Sequence, residues 1–156
     1  MAKRCFFIGH REATESLFQY LFDAVLRHVE EYGVGEFIVG KYGNFDALAV
    51  KAVIQAKKLY PHVRLTLLCA YHPAVQGFVL PDGFDEAYYP FTKHVPMRFS
   101  IVRANQKAID VSDYLIAYAC HPGKSRDFLE YARKREKRGL IRTENLWEII
   151  EGTSGL

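Results

Sequence analysis

Apolar and polar positions along this chain switch between two periods. The stretches 5–9, 36–40 and 63–70 are short, nearly unbroken apolar runs, the pattern of strands buried on both faces. Between the first two, Leu17, Leu21, Val25 and Val29 recur at helical spacing, and Phe18, Phe22 and Leu26 widen the stripe. A helix is therefore predicted over 14–32, with Thr14 as N-cap and Gly33 as the glycine that ends it. A second helix is predicted over 44–60 and is stopped by Pro61. Proline and glycine then crowd 71–96, which excludes a long helix and predicts a functional loop or lid, with a short strand at 86–89. Helical spacing resumes near Arg98 and runs to about Val111. A strand follows at 113–119, then a helix from about 123 to 138, a short strand at 140–142 and a last helix at 144–150.

This alternation predicts one α/β domain over 1–156. It is a three-layer, Rossmann-like, doubly wound architecture with a mainly parallel sheet of about five strands and helices on both faces. In such sheets ligands bind beyond the carboxyl ends of the strands, near the switch in strand order. Three segments rich in glycine or polar residues fall at strand ends: Gly9-His10-Arg11, Gly40-Lys41-Tyr42-Gly43-Asn44, and Cys120-His121-Pro122-Gly123-Lys124-Ser125. Their convergence at one edge carries more information than any single turn.

Composition narrows the picture. The chain has 156 residues, 49% of them hydrophobic and 25% charged, which suits a soluble globular domain. No apolar run reaches transmembrane length and no signal-peptide pattern is present, so no membrane partner is expected. The formal net charge is +3, and much of it sits in Arg133-Lys134-Arg135-Glu136-Lys137-Arg138. Cations late in a helix complement its dipole, and no aromatic residues interleave them, so nucleic acid is not the expected partner. Cys5, Cys69 and Cys120 are odd in number and lie in or just after apolar runs. They read as free thiols of a reducing, cytoplasmic compartment. No Cys/His spacing predicts a metal site.

The turn 40–46 leads a buried strand into a helix. Backbone N–H groups at a helix start, with the helix dipole, favour an anion such as a phosphate. Gly40, Gly43 and Asn44 are candidates for a phosphate nest, or for a plain tight turn; Asp46 is a candidate for a ribose hydroxyl or a helix cap. Gly9, His10 and Arg11 can meet a phosphate or anchor the loop before Thr14. Gly123, Lys124 and Ser125 can contact a phosphate or form a solvated first turn. Arg98 and Asn105, seven apart, share a helical face; Arg98 can reach a ligand or pair with Asp110 or Asp113. Tyr71 and His72 can stack on a base or cover the core edge.

Residues 5–11 resemble the F-x-G-H-R opening of the SLOG superfamily, which joins the DNA-processing protein A fold, the lonely-guy phosphoribohydrolases and small stand-alone bacterial proteins. Residues 40–46 resemble that superfamily's glycine turn ending in Gly-Phe-Asp. Arg98, Asn105 and Ser112-Asp113 resemble its R-x(6)-N…S-D pattern. The resemblance spans about residues 4–142. It implies a protein that binds a nucleotide or nucleotide derivative, such as an ADP-ribose or NAD relative, as a sensor or accessory module. No cofactor is required, and the expected occupant is a nucleotide or phosphate. The alternative it implies is hydrolysis of the N-glycosidic bond of a nucleoside monophosphate. Glu130, with Arg98 or Arg11, would then stand at the reacting centre; Glu130 can equally form an i,i+4 pair with Lys134. A DNA-associated role is the least favoured. The phosphoribohydrolases carry Pro-Gly-Gly-x-Gly-Thr-x-x-Glu, whereas residues 122–130 keep the proline, the first glycine and the terminal Glu130, with Lys124 in place of the second glycine and neither the third glycine nor the threonine. That departure favours binding over catalysis. The apolar helix faces fit a homo-oligomer or a monomer.

Overall fold

A computed structural model describes residues 2–74 and 77–154. The elements are β1 (Lys3–Gly9), a 3-10 turn (Glu15–Leu17), α1 (Phe18–Glu30), β2 (Val34–Val39), α2 (Asn44–Leu59), β3 (Arg64–Leu68), β4 (Glu86–Tyr88), α3 (Met97–Asp110), β5 (Tyr114–Tyr118), α4 (Lys124–Glu136), β6 (Arg142–Asn145) and α5 (Leu146–Ser154). The strands form one six-stranded sheet in the order β4-β3-β2-β1-β5-β6, and every pairing is parallel. The expectation of about five strands is thus one short.

Alternation along β1 explains the layers. Cys5 and Phe7 face a core shared with α1, α2 and the start of α5. Phe6 and Ile8 face the opposite core, shared with α3 and α4. Side chains on successive strand residues point to opposite faces, so a central strand covered on both sides must be apolar throughout. β1 lies in register with both neighbours, Phe6 opposite Ile38 of β2 and Leu115 of β5.

Two boundaries differ from the sequence pattern. The last strand is Arg142–Asn145 instead of 140–142, and the last helix begins at Leu146 instead of Glu144. The strand Arg-Thr-Glu-Asn carries no apolar pattern because it is an edge held by polar groups. The Thr143 amide and hydroxyl donate to Glu136 (2.8 and 2.6 Å). The Asn145 side chain joins both backbone groups of Ala119 (3.1 and 3.0 Å). The first helix also opens later, at Phe18 after the 3-10 turn. Thr14 starts that turn without a side-chain cap, its hydroxyl bonded instead to Ser16 (2.7 Å). Gly33 does end α1 in the left-handed region, at φ 72°.

Strand order reverses between β1 and β5, since the chain runs β1-β2-β3-β4 outward on one side and β5-β6 on the other. The crevice beyond their carboxyl ends is where this architecture places ligands. None of the helices among the described residues is long and apolar enough to cross a membrane.

Candidate functional site

A cavity of about 470 Å³ opens at that crevice, within the size range of small-molecule sites. Nine of the residues singled out from sequence line it: Gly9, His10, Arg11, Gly40, Asp46, Asn105, Gly123, Lys124 and Ser125. Seven further lining residues, Phe7, Ile8, Glu12, Tyr42, Ile101, His121 and Phe128, were not candidates for contact, although Tyr42 and His121 lie in the strand-end segments named from sequence. The loop after β1, the first turns of α2 and α4, and one face of α3 therefore meet around one space.

Gly43 and Asn44 shape the wall rather than face the cavity. A Cβ on Gly43 would lie 2.6 Å from Arg11 Cα, so glycine is what lets the β1 loop cross the start of α2. The Asn44 amide donates to the Arg11 carbonyl (3.0 Å). Asn44 borders a separate groove with Glu15 and Lys51. Arg98 lies at the start of α3 with its guanidinium 4.8 Å from the Phe99 ring centroid. Asp110 pairs with Arg135 (3.3 Å), and Asp113 accepts the Arg4 amide (2.9 Å). Glu130 is exposed on α4. Neither Arg98 nor Glu130 lines the cavity. Tyr71 and His72 line an adjacent cavity of about 350 Å³, and Tyr42 borders both spaces.

The two helix starts differ in charge. At α2, Asp46 is buried and accepts the Tyr42 amide (2.9 Å). Burial pushes its carboxyl up to about 6, although the Tyr42 amide and the Arg11 charge pull the other way. At α4, Gly123 is the N-cap at φ 149°, and no side chain caps the helix. Lys124 and Ser125 stand there with no side-chain hydrogen bond or ion pair among the described residues, and Arg11 across the cavity has no ion pair either. Free first-turn amides and a lysine make the α4 end favourable to an anion, and the Arg11 charge faces it from the α2 side. Asn105 donates its amide to the Ile101 carbonyl (2.7 Å), which leaves its side-chain oxygen for a ligand.

The rim holds a second polar group. His10 Nε2 accepts the Cys120 amide (2.8 Å) and, at longer range, the His121 amide (3.4 Å). This fixes the lone pair on Nε2. Burial and then the neighbouring His121 charge lower the His10 pKa, so the ring is neutral at pH 7. The His121 ring stacks on it, with centroids 3.7 Å apart and planes 6° apart. His121 donates from Nδ1 to the Pro122 carbonyl (3.0 Å) and from Nε2 to Glu12 (2.6 Å). Those two acceptors raise its pKa, and the same contact lowers that of Glu12.

Comparison with known proteins agrees with the fold. The chain is similar to a structure of DNA processing protein A from Helicobacter pylori, reported for its single-stranded DNA binding mode. The TM-score is 0.51 at 13% identity, covering 98% of this chain and 80% of that one. The chain therefore has a fold like that of DNA processing protein A. No protein-family model and no curated protein matches it.

Proposed function

We propose that the chain is a nucleotide-binding module of the SLOG type, taking a phosphate-bearing nucleotide or nucleotide derivative in the cavity between β1 and β5. The observation that carries this reading is the polarity of the cavity. One end offers Lys124 and the uncapped start of α4 to a phosphate; the other offers the buried carboxyl of Asp46 to ribose hydroxyls, with Arg11 beside it on the β1 loop, free of any ion pair among the described residues and facing the same cavity. Tyr42, shared with the adjacent apolar cavity, is placed to flank a base. The phosphate belongs at α4 rather than α2, because Asp46 already occupies the Tyr42 amide, and a second anion beside that carboxylate would be repelled.

Hydrolysis of an N-glycosidic bond has less support, since the carboxyl groups that line the cavity are Glu12 and Asp46 while Glu130 lies outside it. Single-stranded DNA is a second reading. It is favoured by the fold neighbour's reported ligand and by Arg98 and Arg103, both stacked over the half-exposed Phe99 ring at 4.8 and 5.5 Å. Cations around an exposed aromatic form a stacking platform for bases. Nucleic acid, the least favoured partner by sequence, thereby gains support.

One titration separates the readings. The purified chain is mixed with AMP, ADP-ribose, NAD or an oligodeoxythymidylate, and binding and free base are both measured. Saturable AMP or ADP-ribose binding without base release, weakened about tenfold to a hundredfold by Lys124→Ala, is the expected result. Base release that disappears in Glu130→Gln would establish the hydrolase. Tight oligonucleotide binding lost in Phe99→Ala, with no nucleotide binding, would establish the DNA reading.

A further inference from the structure

We propose that His10, Cys120 and His121 bind one soft divalent cation of the zinc class at the rim of the cavity. Their donor atoms, two imidazole nitrogens and a thiol sulfur, all lie within 4.8 Å of one another. Donors around a tetrahedral zinc with bonds of 2.0–2.3 Å stand about 3.5 Å apart. A contraction of about an ångström completes the set, and the residue that must move is free to do so, since the His121 side chain is 51% exposed. The movement takes the His121 ring out of its stack on His10 and away from the Pro122 carbonyl, and the Glu12 side chain, 66% exposed, is free to follow Nε2.

Three features prepare the site. First, His10 is held rigidly: its backbone amide donates to the Tyr118 carbonyl (3.2 Å) and its ring meets the Tyr118 ring edge-on at 5.8 Å. Second, its Nε2 lone pair already faces Cys120, accepting that residue's amide at 2.8 Å. A cation would replace the amide at the same lone pair, and Nδ1 would keep the proton. Third, Glu12 holds His121 through Nε2 at 2.6 Å. A carboxylate on the far nitrogen of a histidine is the usual partner that orients and strengthens a metal-bound imidazole; Nδ1, which now donates to the Pro122 carbonyl at 3.0 Å, gives up that hydrogen bond and its proton to take the cation.

The donor set selects the metal class. One thiol and two imidazoles suit zinc and its soft neighbours, whereas magnesium and calcium require oxygen ligands. Three protein ligands leave one position open. His10 and His121 both line the cavity, so that position lies on the side where a ligand would enter. The site does not depend on the identity of that ligand.

Cobalt is the probe, because thiolate coordination gives it a near-ultraviolet charge-transfer band. The chelator-treated full chain is titrated with Co²⁺, then with Zn²⁺, with Mg²⁺ as control. The expected result is one Co²⁺ per chain with that band, displaced by one equivalent of Zn²⁺ and untouched by Mg²⁺. Cys120→Ser should abolish the band, and Glu12→Gln should keep it while weakening affinity about 10–100-fold. Absence of Co²⁺ binding overturns the proposal. So does a band that survives Cys120→Ser, which would point to the buried thiols Cys5 or Cys69. Should Cys120→Ser fail to fold by circular dichroism, the exposed His121→Ala decides, and unchanged Co²⁺ affinity in that variant overturns the site.

Discussion

The starts of α2 and α4 are the same device built to opposite ends. Both follow a central strand, both have a glycine N-cap, and neither has a side-chain cap. At α2 the turn is closed from within: Asp46 takes the Tyr42 amide, the Arg11 carbonyl takes the Asn44 amide, and Phe45 is fully buried. At α4 the turn is open: nothing stands within 4 Å of a Cβ on Gly123, and Lys124 is exposed. A helix start can spend its amides on the fold or keep them for a ligand. At α2 the fold takes up the Asn44 amide, and at α4 the first-turn amides stand without a protein partner among the described residues.

The largest test of that difference is Asp46→Asn. A carboxyl whose folded-state pKa stands at about 6, against an ordinary 3.8, is destabilised when ionised inside the fold. The cost is absent while the group is protonated, near pH 4 and below, grows as pH rises from about 4 to 6, and is fully present at pH 7. It amounts to about 3 kcal/mol. Asparagine keeps an oxygen for the Tyr42 amide without the charge. Urea unfolding should show Asp46→Asn more stable than wild type by up to about 3 kcal/mol at pH 7, with the gain vanishing at pH 4. Nucleotide affinity should fall at the same time, since a retained carboxyl with such a cost is expected to serve binding. A variant no more stable at pH 7 would show that Asp46 is an ordinary cap.

Gly43→Ala tests the closed turn directly. Its Cβ would meet Arg11 backbone at 2.6 Å, and neither segment can yield without parting β1's loop from α2. A loss of about 2 kcal/mol in denaturant unfolding is expected, typical of overpacking. Affinity should follow only as far as Arg11 is displaced.

The contrast between the turns also explains what was legible in the sequence. The helix stripe of Leu17, Leu21, Val25 and Val29 and the continuous apolar strands report burial directly, so the layers and the single parallel sheet could be read. The polar strand Arg142–Asn145 could not, because Glu136 and the Asn145 amide hold it, and such pairing leaves no period. The strand-end glycine turns marked the crevice, because a tight strand-to-helix turn has a local signature. Tyr42 and His121 lay inside those marked turns but with no role assigned, and Glu12 left no mark at all. Glu12 and His121 become partners only because β1 and β5 are neighbours, at a separation of 109 residues. Cys120 and His10 meet across 110 residues, which is why spacing rules predicted no metal site. Gly40–Asp46, the most suggestive anion turn by sequence, carries an internal carboxylate where an anion would sit, and only the fold displays that.

Gly123→Ala produces the smallest effect on stability and the sharpest one on the comparison. At φ 149° and ψ −173°, residue 123 occupies backbone space that is essentially restricted to glycine. A side chain there meets no atom, so the cost is backbone strain alone. The turn is exposed and can relax, which keeps the loss near 1 kcal/mol. Relaxation, however, re-aims the amides of Lys124 and Ser125 that the phosphate is proposed to use. Gly123→Ala should therefore weaken AMP binding by more than its loss of stability, tenfold or greater by titration calorimetry. Gly43→Ala should show the reverse order, a larger loss of stability than of affinity. If the two alanine variants instead lose affinity in proportion to stability, the turns are equivalent and the phosphate has no preference for α4.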